Sequence, residues 1–342
     1  MQDWALQRKE VLNVQTRKIG QNGPEVSALG LGCMGMSWSY GATDRRESIA
    51  TIHAALEAGV TLFDTGDFYG CGHNEMLLHE ALQGYRREQA FIAVKFGVLR
   101  SPDGSMGGVD ARPQAVKNFL AYTLQRLGMD YVDLYQPARV DPQVPIEETV
   151  GAIADMVKAG YVRYIGLSEA GADTIRRAHA VFPISWLQIE YSLFTRGVEA
   201  RILPTLRELG ISLSAYGVLS RGLLGGTWSR ERSVDVHDFR KRAPRFQGDN
   251  LDQNLALVEA LRTIAETRKV TVAQLAIAWV LSRGDNVIPL VGSRSRFQLQ
   301  GALGALKIDL RQEDLNHIQA AIPNGAVAGD RYPQMDLLDS ER

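Results

Sequence analysis

Cysteine is nearly missing from this chain: Cys33 and Cys71 are the only two in 342 residues. Two thiols cannot build a disulfide framework or a cysteine-based zinc site, and no metal is expected. Long apolar runs are missing too. The longest, Val272 to Leu281, is too short to span a bilayer, and the opening MQDWALQRKEV lacks the apolar stretch of a secretory signal. Excess charge is absent, since 38 Lys and Arg nearly cancel 39 Asp and Glu. No global field therefore draws nucleic acid or an anionic membrane. These absences imply a cytoplasmic protein whose partner is a small molecule. With 45% hydrophobic residues the chain can fill a large core, and its length suits either two ordinary domains or one α/β barrel.

The pattern decides between them. Residues 14–19 and 25–29 flank Gln21-Asn22-Gly23, an Asn-Gly hairpin signal. Eight short apolar runs follow, at 28–32, 61–64, 91–95, 132–135, 164–168, 187–191, 212–216 and 287–291. Runs apolar on both faces suit parallel strands buried between layers. Helical patterns lie between them, near 44–58, 74–84, 112–127, 147–159, 172–181 and 199–209, with two more at 252–267 and 272–282. Eightfold βα alternation favours an α/β fold of the closed (β/α)8 TIM-barrel type, preceded by a β-hairpin. The expected division is an N-terminal extension over 1–13, the barrel over 14–322 and a C-terminal tail over 323–342. A polar, Arg-rich loop at about 220–250 follows the seventh barrel strand, and loops this long usually cover a site.

Gly30-Leu-Gly32-Cys-Met-Gly35 matches the dinucleotide fingerprint G-x-G-x-x-G, but its context fails. The third glycine must open a helix toward the pyrophosphate, whereas here eight residues separate Gly35 from the cap at Asp44. The glycines are read as a strand-to-loop turn at the barrel mouth.

In such a barrel the chemistry lies at the carboxyl ends of strands. Asp64 ends the second expected strand, Tyr69 follows in its loop, and Lys95 ends the third. A lysine at the end of a buried strand needs a partner, and Asp64 on the neighbouring strand is the candidate. A nearby ammonium stabilises a phenolate, so Tyr69 is expected to have a lowered pKa and to serve as a general acid. Trp38, Tyr40, Phe68, Phe96, Phe194 and Trp228 fall where they line an aromatic pocket or join the core. Arg240-Lys-Arg242 and Arg245 read as a solvated loop face.

Residues 59–70, Gly-Val-Thr-Leu-Phe-Asp64-Thr-Gly-Asp-Phe-Tyr69-Gly, together with Ala93-Val-Lys95, resemble the aldo-keto reductases. The resemblance runs from about residue 14 to 322 and is closest to the bacterial and plant branches acting on pyridoxal or aryl aldehydes. It implies an NADP(H)-dependent oxidoreductase of the alcohol dehydrogenase or carbonyl reductase type. In such an enzyme a hydride reduces an aldehyde or ketone to an alcohol, Tyr69 protonates the oxygen, and Lys95 and Asp64 tune Tyr69. By the same matching, Ser168 and Gln188 hold the carboxamide and Tyr216 stacks on the nicotinamide. Gly217, Leu219 and Arg221 follow the pyrophosphate. Ser293 and Arg294 meet the adenosine 2′-phosphate, with Gln298 near the adenine. A guanidinium matches a phosphate in shape and charge, which favours NADP over NAD.

The chain departs from that pattern at one catalytic position. Where the family carries a histidine followed by an arginine at the fourth strand end, this sequence reads Gln136-Pro-Ala138-Arg139. Alanine can neither donate to a carbonyl oxygen nor orient it, and losing one such donor typically costs roughly 100- to 1000-fold in rate. The alternative is therefore an NADP(H)-bound sensor or regulatory protein with little turnover. Glu169 also replaces the asparagine usual after Ser168, where it can accept from the carboxamide.

Overall fold

The computed structural model describes residues 14–236, 238–335 and 338–339, so the expected extension over 1–13 lies outside the described residues. An antiparallel hairpin comes first, β1 (Thr16–Lys18) with β2 (Glu25–Ser27), joined through the Asn-Gly segment. The barrel strands are β3 (Gly30–Gly32), β4 (Leu62–Gly66), β5 (Phe91–Phe96), β8 (Val132–Pro137), β9 (Val162–Ser168), β10 (Ile184–Glu190), β11 (Ser212–Tyr216) and β12 (Val287–Gly292). They run parallel and close in that order, β12 pairing back to β3 through Leu290 and Gly30. Every residue of β4 and β5 is buried, as strands packed on both faces must be.

Helices α1 (Arg45–Glu57), α2 (His73–Ala81), α3 (Pro113–Leu127), α4 (Ile146–Lys158), α5 (Ala172–Val181), α6 (Ile202–Leu209), α7 (Gly248–Thr267) and α8 (Val272–Leu281) match the helical periodicities. Two further helices, α9 (Arg296–Gly304) and α10 (Gln312–Ala321), were not legible. Their apolar stripes are thin. Ile318 is the one buried residue of α10, and α9 buries only Leu299, Ala302 and Leu303, so each offers few apolar positions to a pattern. A small antiparallel pair, β6 (Val98–Arg100) with β7 (Met106–Val109), also lies in the loop after β5. Among the described residues no helix is long and apolar enough to cross a membrane.

The hairpin closes the amino-terminal end of the barrel. Its Ile19 and Val26 pack on Leu62, Phe91, Ala93, Leu134, Trp186 and Ile288, a layer that fills the interior. Gly30 belongs to this packing. A Cβ there would lie 2.7 Å from Leu62 Cδ2, so close approach of neighbouring strands requires the glycine, not a phosphate. After β3 the chain makes a 3-10 turn at Met34–Met36, and α1 opens only at Arg45, where Asp44 accepts from the Arg46 and Glu47 amides at 2.7 and 3.1 Å. The fingerprint reading fails for the reason its spacing gave.

At the carboxyl end the loop after β11 forms a kinked turn at Ser220–Gly225 and two short 3-10 turns, at Phe239–Lys241 and Pro244–Phe246. The tail after α10 then returns across this end. Asn254 grips it by bonding both Ala328 O (2.9 Å) and Ala328 N (3.0 Å), and Asp339 accepts from the Gly171 amide at 2.8 Å.

Candidate active site

Parallel register brings the strand ends together. Gly66 of β4 lies opposite Lys95 of β5, and Lys95 opposite Gln136 of β8. Lys95 Nζ donates to both Asp64 oxygens at 2.5 and 2.6 Å, the pair being almost wholly buried. From across the barrel Gln188 on β10 donates to Asp64 Oδ2 at 2.7 Å. Tyr69 stands over this group, 5% exposed, with Lys95 Nζ 5.2 Å from its ring centre. Phe68, Met34, Trp38, Val98 and Ala138 wall it in. Asp64, Tyr69 and Lys95 are thus brought together as the sequence spacing suggests.

Their electrostatics differ from expectation. Burial raises the Tyr69 pKa well above the ordinary phenol value, and the Asp64 carboxylate adds to this while Arg139 opposes it. Lys95 does not lower it as anticipated, because its charge is largely cancelled by Asp64 at contact distance. Burial likewise pushes the Asp64 carboxyl up and the Lys95 ammonium down, each opposed by the other's charge. Tyr69 consequently keeps its proton at neutral pH and is not acidified.

The residues matched to a cofactor line an arc from β9 to β12. Ser168 is buried beside Gln188 in register. The Tyr216 hydroxyl donates to Glu169 Oε1 at 2.7 Å, and 2.8 Å separates it from the Tyr332 hydroxyl. Gly217 has φ +66, and a Cβ there would lie 2.9 Å from Glu190 Cγ, so this turn needs glycine. Leu219 leads into Ser220 and Arg221, both left-handed with φ 45 and 56. Such strain in non-glycine residues clusters at ligand clamps. Arg221 pairs with Glu190 at 3.3 Å and lies over the Phe239 and Tyr332 rings.

Further round, Ser293 is buried and its Oγ has no hydrogen-bond partner. Half-buried Arg294 donates to Tyr40 O at 2.9 Å, and its own amide donates to Gln298 Oε1 at 2.8 Å. An orphaned buried hydroxyl followed in the chain by a half-buried arginine suits an anionic group such as a phosphate. Of the six aromatics, Trp38 and Phe68 border Tyr69, whereas Phe96 stacks on Tyr135 in the core at 4.3 Å and Trp228 packs on Phe246.

Several residues at this end escaped the sequence reading. Arg245, taken for a solvated loop residue, is buried and donates to Phe194 O at 2.9 Å and Thr195 at 2.9 Å, with Glu190 at 3.4 Å. Glu169 is not free for a carboxamide. Arg331 of the tail holds both its oxygens at 2.8 and 2.7 Å. Burial alone would raise the Glu169 carboxyl, but Arg331 overrides it and holds the value down to about 2. Tyr332 follows, its hydroxyl 3.3 Å from Arg139 Nη2. Nothing local in the tail sequence points to these partners. A cavity of about 290 Å³ behind the tail is lined by Glu190, Phe194, Arg245 and Arg331, and not by Tyr69.

Known proteins bear on this geometry. The model of the aldo/keto reductase family matches residues 28–323. A probable aldo-keto reductase from Glycine max is 44% identical over 320 residues, 93% of this chain and 92% of that protein. A glycerol dehydrogenase structure from Gluconobacter oxydans superposes with a TM-score of 0.83 at 30% identity, covering 90% of this chain and 95% of that one. The holo form of an aldo-keto reductase from Bacillus halodurans gives 0.74 at 28% identity, over 90% and 96%. With a closed barrel, a buried aspartate–lysine pair under a tyrosine and similarity over nearly its whole length, the chain belongs to the aldo/keto reductase family, oxidoreductases that work with a nicotinamide cofactor.

Proposed function

We propose that this protein is an NADPH-dependent, cytoplasmic reductase of aldehydes or ketones with Tyr69 as its general acid. The observation that carries the reading is buried Tyr69, its ring centre 5.2 Å from the ammonium of a lysine that Asp64 clasps at 2.5 Å. Ser168, Gln188 and Tyr216 would hold the nicotinamide, Gly217, Leu219 and Arg221 the pyrophosphate, and Ser293, Arg294 and Gln298 the adenosine phosphate end. The orphaned Ser293 hydroxyl, followed in the chain by Arg294, favours the phosphorylated dinucleotide.

A bound reduced nicotinamide supplies the hydride that reaches the carbonyl carbon. The protein's part is the proton. As the carbonyl oxygen gains charge it becomes a far stronger base than a phenolate, so a Tyr69 held fully protonated gives up its proton only at that moment. Lys95 neutralises the Asp64 carboxylate that would otherwise oppose the phenolate left behind. Solvent then restores the proton. The walls of Phe68, Trp38 and Met34 exclude water and strengthen each of these interactions.

The test is loss of reduced-cofactor absorbance with a panel of aromatic and aliphatic aldehydes, for wild type and Tyr69→Phe. Wild-type turnover and a fall in kcat of about 100-fold or more support the reading. Equal rates for the two proteins overturn it. Tight NADPH binding without turnover would instead favour the sensor, to which Ala138 points because it offers no donor beside Tyr69.

A further inference from the structure

Charge at the barrel mouth does not balance. Four arginines, Arg139, Arg221, Arg245 and Arg331, gather round two buried carboxylates, Glu169 and Glu190. Glu169 is spent on Arg331, the Tyr216 hydroxyl and the Glu190 amide at 3.1 Å. Glu190 is spent on Arg221, Arg245 and the Thr195 hydroxyl at 2.9 Å. Arg139 is left with neutral oxygens alone: it donates to Ala138 O at 2.6 Å and to the Tyr332 hydroxyl at 3.3 Å. Among the described residues no carboxylate stands within ion-pair distance of it. A half-buried guanidinium has five donors in a planar fork, and Arg139 spends few of them on the described residues, so it can receive an anion.

Its position says which anion. Arg139 immediately follows Ala138, which is fully buried against Phe68 and Tyr69. Its charge reaches both Tyr69 and Lys95. The phosphates of a dinucleotide belong elsewhere, to the ends of β11 and β12. In the closed strand order β12 and β8, which leads into Arg139, are four places apart on opposite sides of the barrel. The anion for Arg139 is therefore not the adenosine phosphate, and beside Ala138 and Tyr69 the molecule being reduced is the anion that fits best.

We infer that Arg139 is a specificity determinant that binds a carboxylate carried by the carbonyl substrate, which makes the substrate class oxo acids with an apolar body. This rests on the reductase reading above. Guanidinium and carboxylate are matched planar forks, so two parallel hydrogen bonds both hold and orient the substrate. The Tyr332 hydroxyl, a weaker acceptor at 3.3 Å, gives way to it. Met34, Trp38, Phe68 and Val98, packed round Tyr69 and Ala138, offer an apolar wall to the body of such a molecule. With alanine at 138 in place of the family's histidine, the carboxylate anchor supplies the orientation that the histidine would have given.

The experiment compares 4-carboxybenzaldehyde with its neutral isostere 4-formylbenzamide, using the full-length protein and NADPH. Wild type is expected to prefer the carboxylate by about 10- to 100-fold in kcat/KM, the range of a charge-assisted contact, mainly through KM. In Arg139→Gln that ratio falls to near one, and Arg139→Lys, which keeps the charge but not the fork, retains an intermediate ratio. Should Arg139→Gln fail to fold, the wild-type and Arg139→Lys ratios decide. Turnover of both aldehydes with no preference, or a preference that survives Arg139→Gln, overturns the carboxylate assignment and leaves the reductase reading intact. Turnover of neither overturns the reductase reading, and this inference with it.

Discussion

Arg331 on the tail and Glu169 at the end of β9 meet through two parallel hydrogen bonds of 2.8 and 2.7 Å, their side chains 3% and 0% exposed, although 162 residues separate them in the chain. The pair fastens the tail to the barrel mouth, and it does so at the place matched to a cofactor's carboxamide. Removing one partner leaves the other charge buried and uncompensated. Arg331→Met is expected to destabilise the protein by about 3 kcal/mol in urea unfolding, and the double variant Glu169→Gln/Arg331→Met to recover most of that loss. Additive losses would show that the pair does not act as a unit.

The same pair sets an acid limit. Because Arg331 holds the Glu169 carboxyl at about 2, below its ordinary value, the folded state releases this proton more readily than the unfolded chain does. The resulting stability is complete above the ordinary carboxylate range and is lost as pH falls from there toward 2. Urea midpoints between pH 6 and pH 3 should drop more steeply for wild type than for the double variant.

Asp67 works in the opposite sense. Burial first, and then the nearby Glu75 carboxylate, raise its carboxyl to about 7, and its Oδ1 has no hydrogen-bond partner. A carboxyl raised in the folded state holds its proton there longer than in the unfolded chain, so stability is greatest below the ordinary carboxylate range and falls as pH rises to about 7. Asp67→Asn should remove that slope and make the protein more stable than wild type at pH 8 by about 1–3 kcal/mol, read by thermal melting across pH 5 to 8. A variant less stable at pH 8 would mean that the ionised carboxylate is needed.

Tyr332 lies 2.8 Å from the Tyr216 hydroxyl and beneath Arg221, both of which are matched to the cofactor. A dinucleotide taking those partners competes with the Tyr332 ring. Tyr332→Ala is expected to tighten NADPH binding by about 3- to 10-fold in a fluorescence titration, because less of the protein must leave its preferred arrangement first. Weaker binding would show that Tyr332 belongs to the cofactor site and does not close it.

Lys95→Met leaves Asp64 as a bare carboxylate near Tyr69, which disfavours the phenolate. Aldehyde reduction should fall by about 100-fold or more, with NADPH affinity changed far less. A rate within a few-fold of wild type would remove Lys95 from the proton path.

The barrel was legible because each of its strands is a short apolar run bounded by turns, and this local signal depends on burial from both faces. Asp64, Tyr69 and Lys95 were legible for a related reason: strand ends fix their positions, so sequence spacing translates directly into proximity. The helices α9 and α10 were not, since a short helix that buries only one to three residues offers few apolar positions to read. Arg245 was misread because an arginine on a polar loop looks the same whether it meets water or, as here, Glu190.

Sequence alone determined the eightfold alternation, the hairpin and the aspartate, tyrosine and lysine at adjoining strand ends, because each follows from patterns a few residues long. Only the tertiary structure decided that the tail crosses the mouth, that Arg331 takes Glu169 and that, among the described residues, Arg139 has no carboxylate within ion-pair distance. Those facts depend on which distant side chains the closed sheet brings face to face, and on how burial weighs one charge against another. No local period encodes either.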